Sequence, residues 1–326
     1  MEKKQTKISL QRALLICLTV LIVIFVVEVV LLPKNGKEEN LALVYNEIKE
    51  KQSENNERNS EFTTSFLKIE NEKKNMIYSP LSIKYALKML EDGADGNTKS
   101  QINSLVGNLG LSKYNSIDKV LSFANGVYIR DIYSEYVKEN YKNQLLQKYN
   151  AEIKYDKFEN AKNVNEWIET KTFGIIKNML KDSIVQNPNT EMLLINALAI
   201  DMEWEDDFED KNTSGKDFHL ENGNTIVVTT MKKETSSDSV SYIKNNEVTA
   251  LSMDLKRYND TQLEFVAIMP NGNLTEYIKT FDLNVLDDIS KKMTKASDKR
   301  NGIEITIPKF SFEYDLKLKD DLIKLG

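Results

Sequence analysis

Cysteine and histidine are almost missing from this chain. Each occurs once in 326 residues, as Cys17 and His219. Cys17 sits in an apolar stretch near the amino terminus. Everything after it can therefore form no internal disulfide, present no thiolate nucleophile and hold no Cys-ligated metal. A large domain without disulfides must be held together by its core. His219 lies in Asp217-Phe218-His219-Leu220, which alternates just before Asn222-Gly223. It is expected to face solvent on a strand, where it serves neither a Ser/His/Asp triad nor a zinc site. An excess of basic residues is also lacking. Lys+Arg is 44 against 50 for Asp+Glu, a net charge of −6, which argues against nucleic-acid binding. No GxGxxG or GxxxxGK[ST] loop occurs, so nucleotide binding has no support. The carboxylate runs Glu203 to Asp210 and Asp320-Asp321 read as solvated faces. No catalytic site can be assembled, no cofactor is implied, and the chain is not expected to be an enzyme.

One long apolar run is present. Residues 13–32 are apolar except for Thr19 and Glu28, and twenty helical residues span about 30 Å, the thickness of a hydrocarbon core. Lys3, Lys4, Lys7 and Arg12 precede it. The positive-inside rule then keeps residues 1–12 cytoplasmic and puts the rest outside. No small-x-small cleavage site follows, since Val29-Val30-Leu31-Leu32 is bulky throughout, so an uncleaved signal anchor is preferred to a cleaved signal that would leave the chain secreted. Residues 33–58 are polar and charged and read as a stalk, partly helical or disordered.

From Asn59 to Gly326 the pattern is globular. Phe62, Phe66 and Ile69 have helical spacing. Ser79 is a good N-cap before Pro80 at the first helical position, and Ile83, Leu87 and Leu90 recur at the helical period up to Gly93. Gly96-Asn97 reads as a turn. Ser122–Arg130 reads as a strand, Tyr133–Tyr149 as a helix and Ile153–Phe158 as a short strand. Leu193–Trp204 is an apolar run that suits a strand buried on both faces. Thr225–Thr230 follows the Asn222-Gly223 hairpin turn. Val248–Leu255, Gln262–Met269 and Ile303–Phe312 read as further strands, and a helix starts at Leu316.

Several stretches resemble the serpins, a family of suicide protease inhibitors. They are Asn75-x-x-x-Ser79-Pro80-Leu81-Ser82-Ile83, then Ala-Leu-x-Met-Leu and Gly93-Ala-x-Gly-Asn-Thr-x-x-Gln-Ile. Asn165-x-Trp167 with Thr172, Gly174 and Ile176 follows, then Asn196-Ala197 with Trp204 and Phe208. Pro308-Lys309-Phe310 and the Leu-x-x-x-Leu-x-x-Leu-Gly ending close the series. All occur in the family's order across 59–326.

The resemblance implies an α+β serpin fold: a helical N-terminal half, a large mixed central sheet and a smaller β-sandwich. It places Ser79, Pro80, Ser82 and Asn196 in the shutter, where the central sheet parts, and Trp204 in the breach, where the reactive loop first enters. Asp201-Met202 stands where the family usually has Lys-Gly, and Lys256-Arg257-Tyr258 where it often has Pro-Tyr. The partner implied is a target serine or cysteine protease. A glycosaminoglycan is not expected, because Gly107–Lys119 holds only Lys113 and Lys119. The family continues past the Leu-Gly ending through another central strand, the reactive loop and closing strands, so the reactive bond is not in these residues. A chain ending there would expose unpaired edges. The function implied is suicide inhibition of proteases outside the membrane. The alternative is a non-inhibitory, binding or decayed serpin. Asn212, Asn259 and Asn273 lie in N-x-[ST] sequons.

Overall fold

The computed structural model describes residues 61–72, 74–107, 115–220, 222–314 and 318–325. The segments expected to be a cytoplasmic N-terminus (1–12), an anchor (13–32) and a stalk (33–58) lie outside the described residues. Among those described, no helix is long and apolar enough to cross a membrane.

The first helix, α1, covers 61–69. Next comes α2, Pro80–Gly93, with Ser79 capping it by accepting a hydrogen bond from the Ser82 N–H at 3.1 Å. Its apolar face is wide because it is buried on two sides. Ile83 and Leu87 pack with Phe62, Phe66 and Val106, while Tyr85 and Met89 pack with Phe123, Val127 and Ile129. Gly96–Val106 is a helix, α3, capped by Asp95, where a turn was expected at Gly96-Asn97. Asp95 supplies an N-cap oxygen one residue ahead, and that outweighs the glycine's low helix propensity.

The central sheet has the order β2-β1-β3, with β1 Leu121–Arg130, β2 Glu152–Asp156 and β3 Met192–Ile200. It is mixed, as expected: β1 runs parallel to β2 and antiparallel to β3. Three of its strands lie among the described residues. Between β1 and β2 the helix α4 is Glu139–Tyr149, not Tyr133–Tyr149. Lys138 offers no side-chain cap, and Asp131–Tyr133 forms a 3-10 turn instead. Two helices, α5 Lys162–Lys171 and the short α6 Asp182–Val185, separate β2 from β3.

Strand alternation sorts the sheet's two faces. Phe123, Val127, Leu194 and Leu198 meet α2 and α4, whereas Tyr128, Leu193, Ile195 and Ala197 meet α5 through Val164, Trp167 and Ile168. Gly126 is required by close approach, since a Cβ there would sit 2.8 Å from Cη2 of Trp167.

The second half is a β-sandwich. One sheet orders β10-β5-β4, from β4 Thr213–His219, β5 Thr225–Thr235 and β10 Ile303–Pro308. The other orders β8-β7-β6-β9, from β6 Val240–Lys244, β7 Val248–Asp254, β8 Glu264–Pro270 and β9 Thr294–Lys295. Met231 and Ile305 of the first sheet meet Val240 and Met253 of the second. The helices α7 Leu274–Thr280 and α8 Leu283–Lys292 cover the far face of the second sheet, where Val285 and Ile289 pack on Val248 and Ala250. Several boundaries differ from expectation: β5 runs on to Thr235 instead of ending at Thr230, and β8 starts at Glu264 instead of Gln262. The last strand stops at Pro308 rather than Phe312, although β5 runs on to Thr225 and the Lys309 N–H still bonds the Thr229 carbonyl at 2.7 Å. The third strand of the central sheet stops at Ile200, and Trp204 is held apart by a lone bridge to Leu255. The closing helix α9, Leu318–Leu325, returns to α1 through Leu318, Leu322 and Leu325.

Candidate functional site

The expected residues fall in two places, one on the central sheet and one beyond the end of β3. The first lies where the start of α2 meets β3. Ser79 is the N-cap and Pro80 the first helical residue. One turn on, Ser82 has a buried hydroxyl with no hydrogen-bond partner among the described residues. On β3, alternation puts Asn196 on the α2 face between Leu194 and Leu198. Its Nδ2 donates to Oδ1 of Asn125 at 2.8 Å, while its Oδ1 is buried without a partner among the described residues.

Asn125 was read from the sequence as part of the family's Ala-Asn-x-x-aromatic strand and not as a site residue, yet it is the hinge of this polar group. It is 3% exposed, it stands directly opposite Asn196 in the sheet register, and its Nδ2 donates to the Tyr149 carbonyl at 2.7 Å. The Tyr149 hydroxyl then reaches the Lys88 carbonyl at 2.9 Å and an Asp92 carboxylate oxygen at 2.7 Å. Burial, and then the bond to Asp92, pushes the Tyr149 phenol above its usual range, so it stays protonated and donating. A chain of hydrogen bonds thus runs from β3 through β1 and α4 to α2. The signal that could have found Asn125 is the amide in an otherwise apolar strand, Ser122-Phe123-Ala124-Asn125.

Buried polar atoms are nearly always paired, and an orphan costs about 1–3 kcal/mol. The Ser82 hydroxyl and the Asn196 carbonyl oxygen are two such atoms on the face where α2 covers β3. They offer unused hydrogen-bonding capacity beside an unpaired strand edge. Among the described residues β3 pairs only with β1, so its outer edge carries no ladder.

The second place is around Trp204. Its ring makes edge contacts with Phe208 at 6.0 Å and Phe265 at 5.2 Å. It belongs to two apolar clusters, one inside the sandwich and one at the end of the central sheet with Leu121, Ile200 and Met202. Met202 is 1% exposed. Lys256 pairs with Glu203 at 2.8 Å and reaches Asp207 at 3.7 Å, so the residues where the sequence departs from the family's pattern tie this segment to the end of β7. Trp204 therefore joins the two halves of the molecule and does not share the polar group of Asn196. A further pair here was missed from the sequence. Lys233, nearly buried on β5, bonds Asp206 at 3.0 Å and lies 4.7 Å from the Phe208 ring. Burial depresses its ammonium below the ordinary lysine range, against the pull of Asp206. His219 is exposed and bonds Thr225 at 2.9 Å.

The model of one family, described as serpin (serine protease inhibitor), matches residues 57–326. This chain belongs to the serpin family. A serpin-like protein of Methanosarcina acetivorans, itself uncharacterized, is 30% identical over 278 residues, which is 78% of this chain and 62% of that protein. Serpin I2 of Homo sapiens is 25% identical over 273 residues, covering 78% of this chain and 65% of the relative. The chain spans about three fifths of the length of the curated relatives it matches first. Among solved structures, the thermophilic serpin tengpin in its latent state superposes with a TM-score of 0.66 at 25% identity, over 90% of this chain and 77% of tengpin. Its native state gives the same TM-score over 91% and 73%. Thyroxine-binding globulin, at 21% identity and a TM-score of 0.69, shares the fold.

Proposed function

We propose that this serpin chain is the body of a suicide inhibitor of serine or cysteine endopeptidases. The observation that carries the reading is the outer edge of β3, unpaired among the described residues and running past Asn196 beneath the start of α2. A strand added there would satisfy a row of backbone groups. The Ser82 hydroxyl and the Asn196 carbonyl oxygen would gain partners in the same event. The free energy released by that addition is what would drag and distort a trapped protease. The bait bond belongs, on this reading, to a segment that would follow Gly326, and the target residue is not legible in this chain. Residues 13–32 would tether the domain outside a membrane, with 33–58 as the stalk; the run of apolar residues and the basic residues before it support this.

The test uses the protein isolated from its own cells. Its intact mass reports whether sequence continues past Gly326. Incubation with trypsin, chymotrypsin, subtilisin and papain should yield a complex that survives denaturing electrophoresis with one of them. Absence of any such complex from a chain shown to carry the extra segment would leave a binding serpin without trapping activity. Protease added to intact cells should shave the domain from the surface if the tether reading holds.

A further inference from the structure

The stretch Asn165-x-Trp167 to Ile176 was read from the sequence as a motif without a task. In the structure it straps α5 to the central sheet. Trp167 lies against Gly126 and donates from Nε1 to Glu152 at 2.9 Å. Thr172 closes the helix: its hydroxyl donates to the Ile168 carbonyl at 2.8 Å and accepts from the Ile176 N–H at 3.1 Å. Gly174 follows at φ +78°, a conformation that favours glycine. The chain then travels back towards β3 as an irregular strap, residues 173–191.

The far end of this strap is held firmly. Arg130 donates to the carbonyls of Val185 at 2.7 Å, Asn187 at 2.8 Å and Thr190 at 3.0 Å. Asp182 accepts from the Ala161 N–H at 2.9 Å, and Val185 is fully buried beside Tyr128 and Trp167. The middle is different. Lys177, Asn178 and Met179 make no backbone hydrogen bond among the described residues, and Asn178 and Met179 are exposed. Two side chains of α5 fasten the middle: Glu169 pairs with the exposed Lys177 at 3.1 Å, and Asn165 grips the backbone of Leu180. The amide of Asn165 donates from Nδ2 to the Leu180 carbonyl at 2.9 Å and accepts on Oδ1 from the Leu180 N–H at 2.8 Å. It reproduces both bonds of a β-bridge.

We propose that Asn165 is the latch of this strap, a positioning residue that sets how readily residues 176–181 lift from α5 and α5 from the sheet. Its role in trapping rests on the strand-addition reading above, because a strand entering beside β3 must shift whatever covers the sheet. The latch itself can be read without that assumption.

The experiment is hydrogen exchange with mass spectrometry on the full chain, comparing wild type, Asn165→Ala and Asn165→Asp. Losing two hydrogen bonds should speed exchange within 176–181 at the Leu180 amide, the one Asn165 protects, on the order of tenfold or more. Exchange of α2 and of the Asp182–Thr190 end should be unchanged. Asn165→Asp keeps the acceptor for Leu180 and should fall between the two. Unchanged exchange at 176–181 in Asn165→Ala, or a rise spread evenly over the whole molecule, overturns the latch. Protease trapping by the same proteins separates the two readings. Faster local exchange with no complex from any of them leaves the latch standing and removes the strand-addition reading. Trapping equal in wild type and Asn165→Ala with equal exchange removes the latch alone.

Discussion

Asn196 and Asn125 face each other across two antiparallel strands, and the first donates its amide to the second at 2.8 Å. The two are not equivalent. Asn125 uses both ends of its amide, since it passes the chain on to the Tyr149 carbonyl, whereas Asn196 leaves its own carbonyl oxygen unpaired. Removing Asn125 strands two buried groups, so Asn125→Ala should destabilise the fold by about 3 kcal/mol. Asn196→Ala removes one orphan while creating another, and should cost only about 1 kcal/mol. Urea unfolding of both variants checks the order; an equal or reversed cost would break the account of the polar chain.

Gly126 is the second place where the central sheet has no slack. A Cβ there would meet three atoms of the Trp167 ring at 2.8 to 3.1 Å. The ring cannot simply swing away, because its N–H is tied to Glu152 and Glu152 to Lys171. Gly126→Ala is therefore expected to cost about 1–3 kcal/mol by overpacking. Trp167→Phe in the same chain should recover part of that loss, which a double-mutant cycle in urea would measure.

How much of this was legible from the sequence follows from what each element depends on. The start of α2 was readable because its signals are local: Ser79, Pro80 and the helical period. The family's motif located Asn196 and Trp204. Asn125 was matched to the family's Ala-Asn-x-x-aromatic strand and still not assigned to a site, because its importance lies in register with Asn196, seventy-one residues away. The end of the last strand at Pro308 was not legible either, since its neighbour β5 runs on to Thr225 and the pairing stops before that neighbour does. The turn expected at Gly96 and the long helix expected from Tyr133 were errors of capping. Asp95 starts a helix that the glycine alone would not, and Lys138 fails to extend one backwards.

Lys84 supplies a stability signature at alkaline pH. It is 7% exposed on α2, with its ammonium 5.5 Å from the Phe62 ring. Burial, and then the nearby Lys88, pushes its pKa down to about 8 from 10.5. The native state therefore releases its proton before the unfolded chain does, and stability rises with pH between those values. From pH 8 to pH 9.5 the gain should reach up to about 2 kcal/mol. Tyr78, Tyr128 and Tyr141, each pushed up to about 12 by burial, act with the opposite sign above pH 10 and stay out of this window. Thermal melts of wild type should climb over that range relative to Lys84→Met. A constant difference between the two would show that the ammonium is not penalised.

Two carboxylates should respond to acid with opposite signs. Asp254 stands directly opposite Glu264 in the β7–β8 register. Burial, then Glu264 and Glu205, raises its pKa, with Lys295 and Arg257 pulling the other way. Its native form binds a proton more readily than the unfolded chain, so it destabilises at neutral pH and the penalty fades as pH falls towards 3.8. Asp254→Asn should melt higher than wild type at pH 7, and the gain should shrink on acidification. Glu70 is the mirror case. It accepts a hydrogen bond from the Tyr314 hydroxyl and pairs with Lys74 at 3.0 Å, and these hold its carboxyl below the usual range. That contribution is present above pH 4.5 and is lost as pH falls through the lowered value. Glu70→Gln should therefore melt lower than wild type at neutral pH and converge with it in acid. Melting curves from pH 7 to pH 3 on the three proteins decide both signs at once, and parallel curves would mean that neither carboxylate is shifted in the fold.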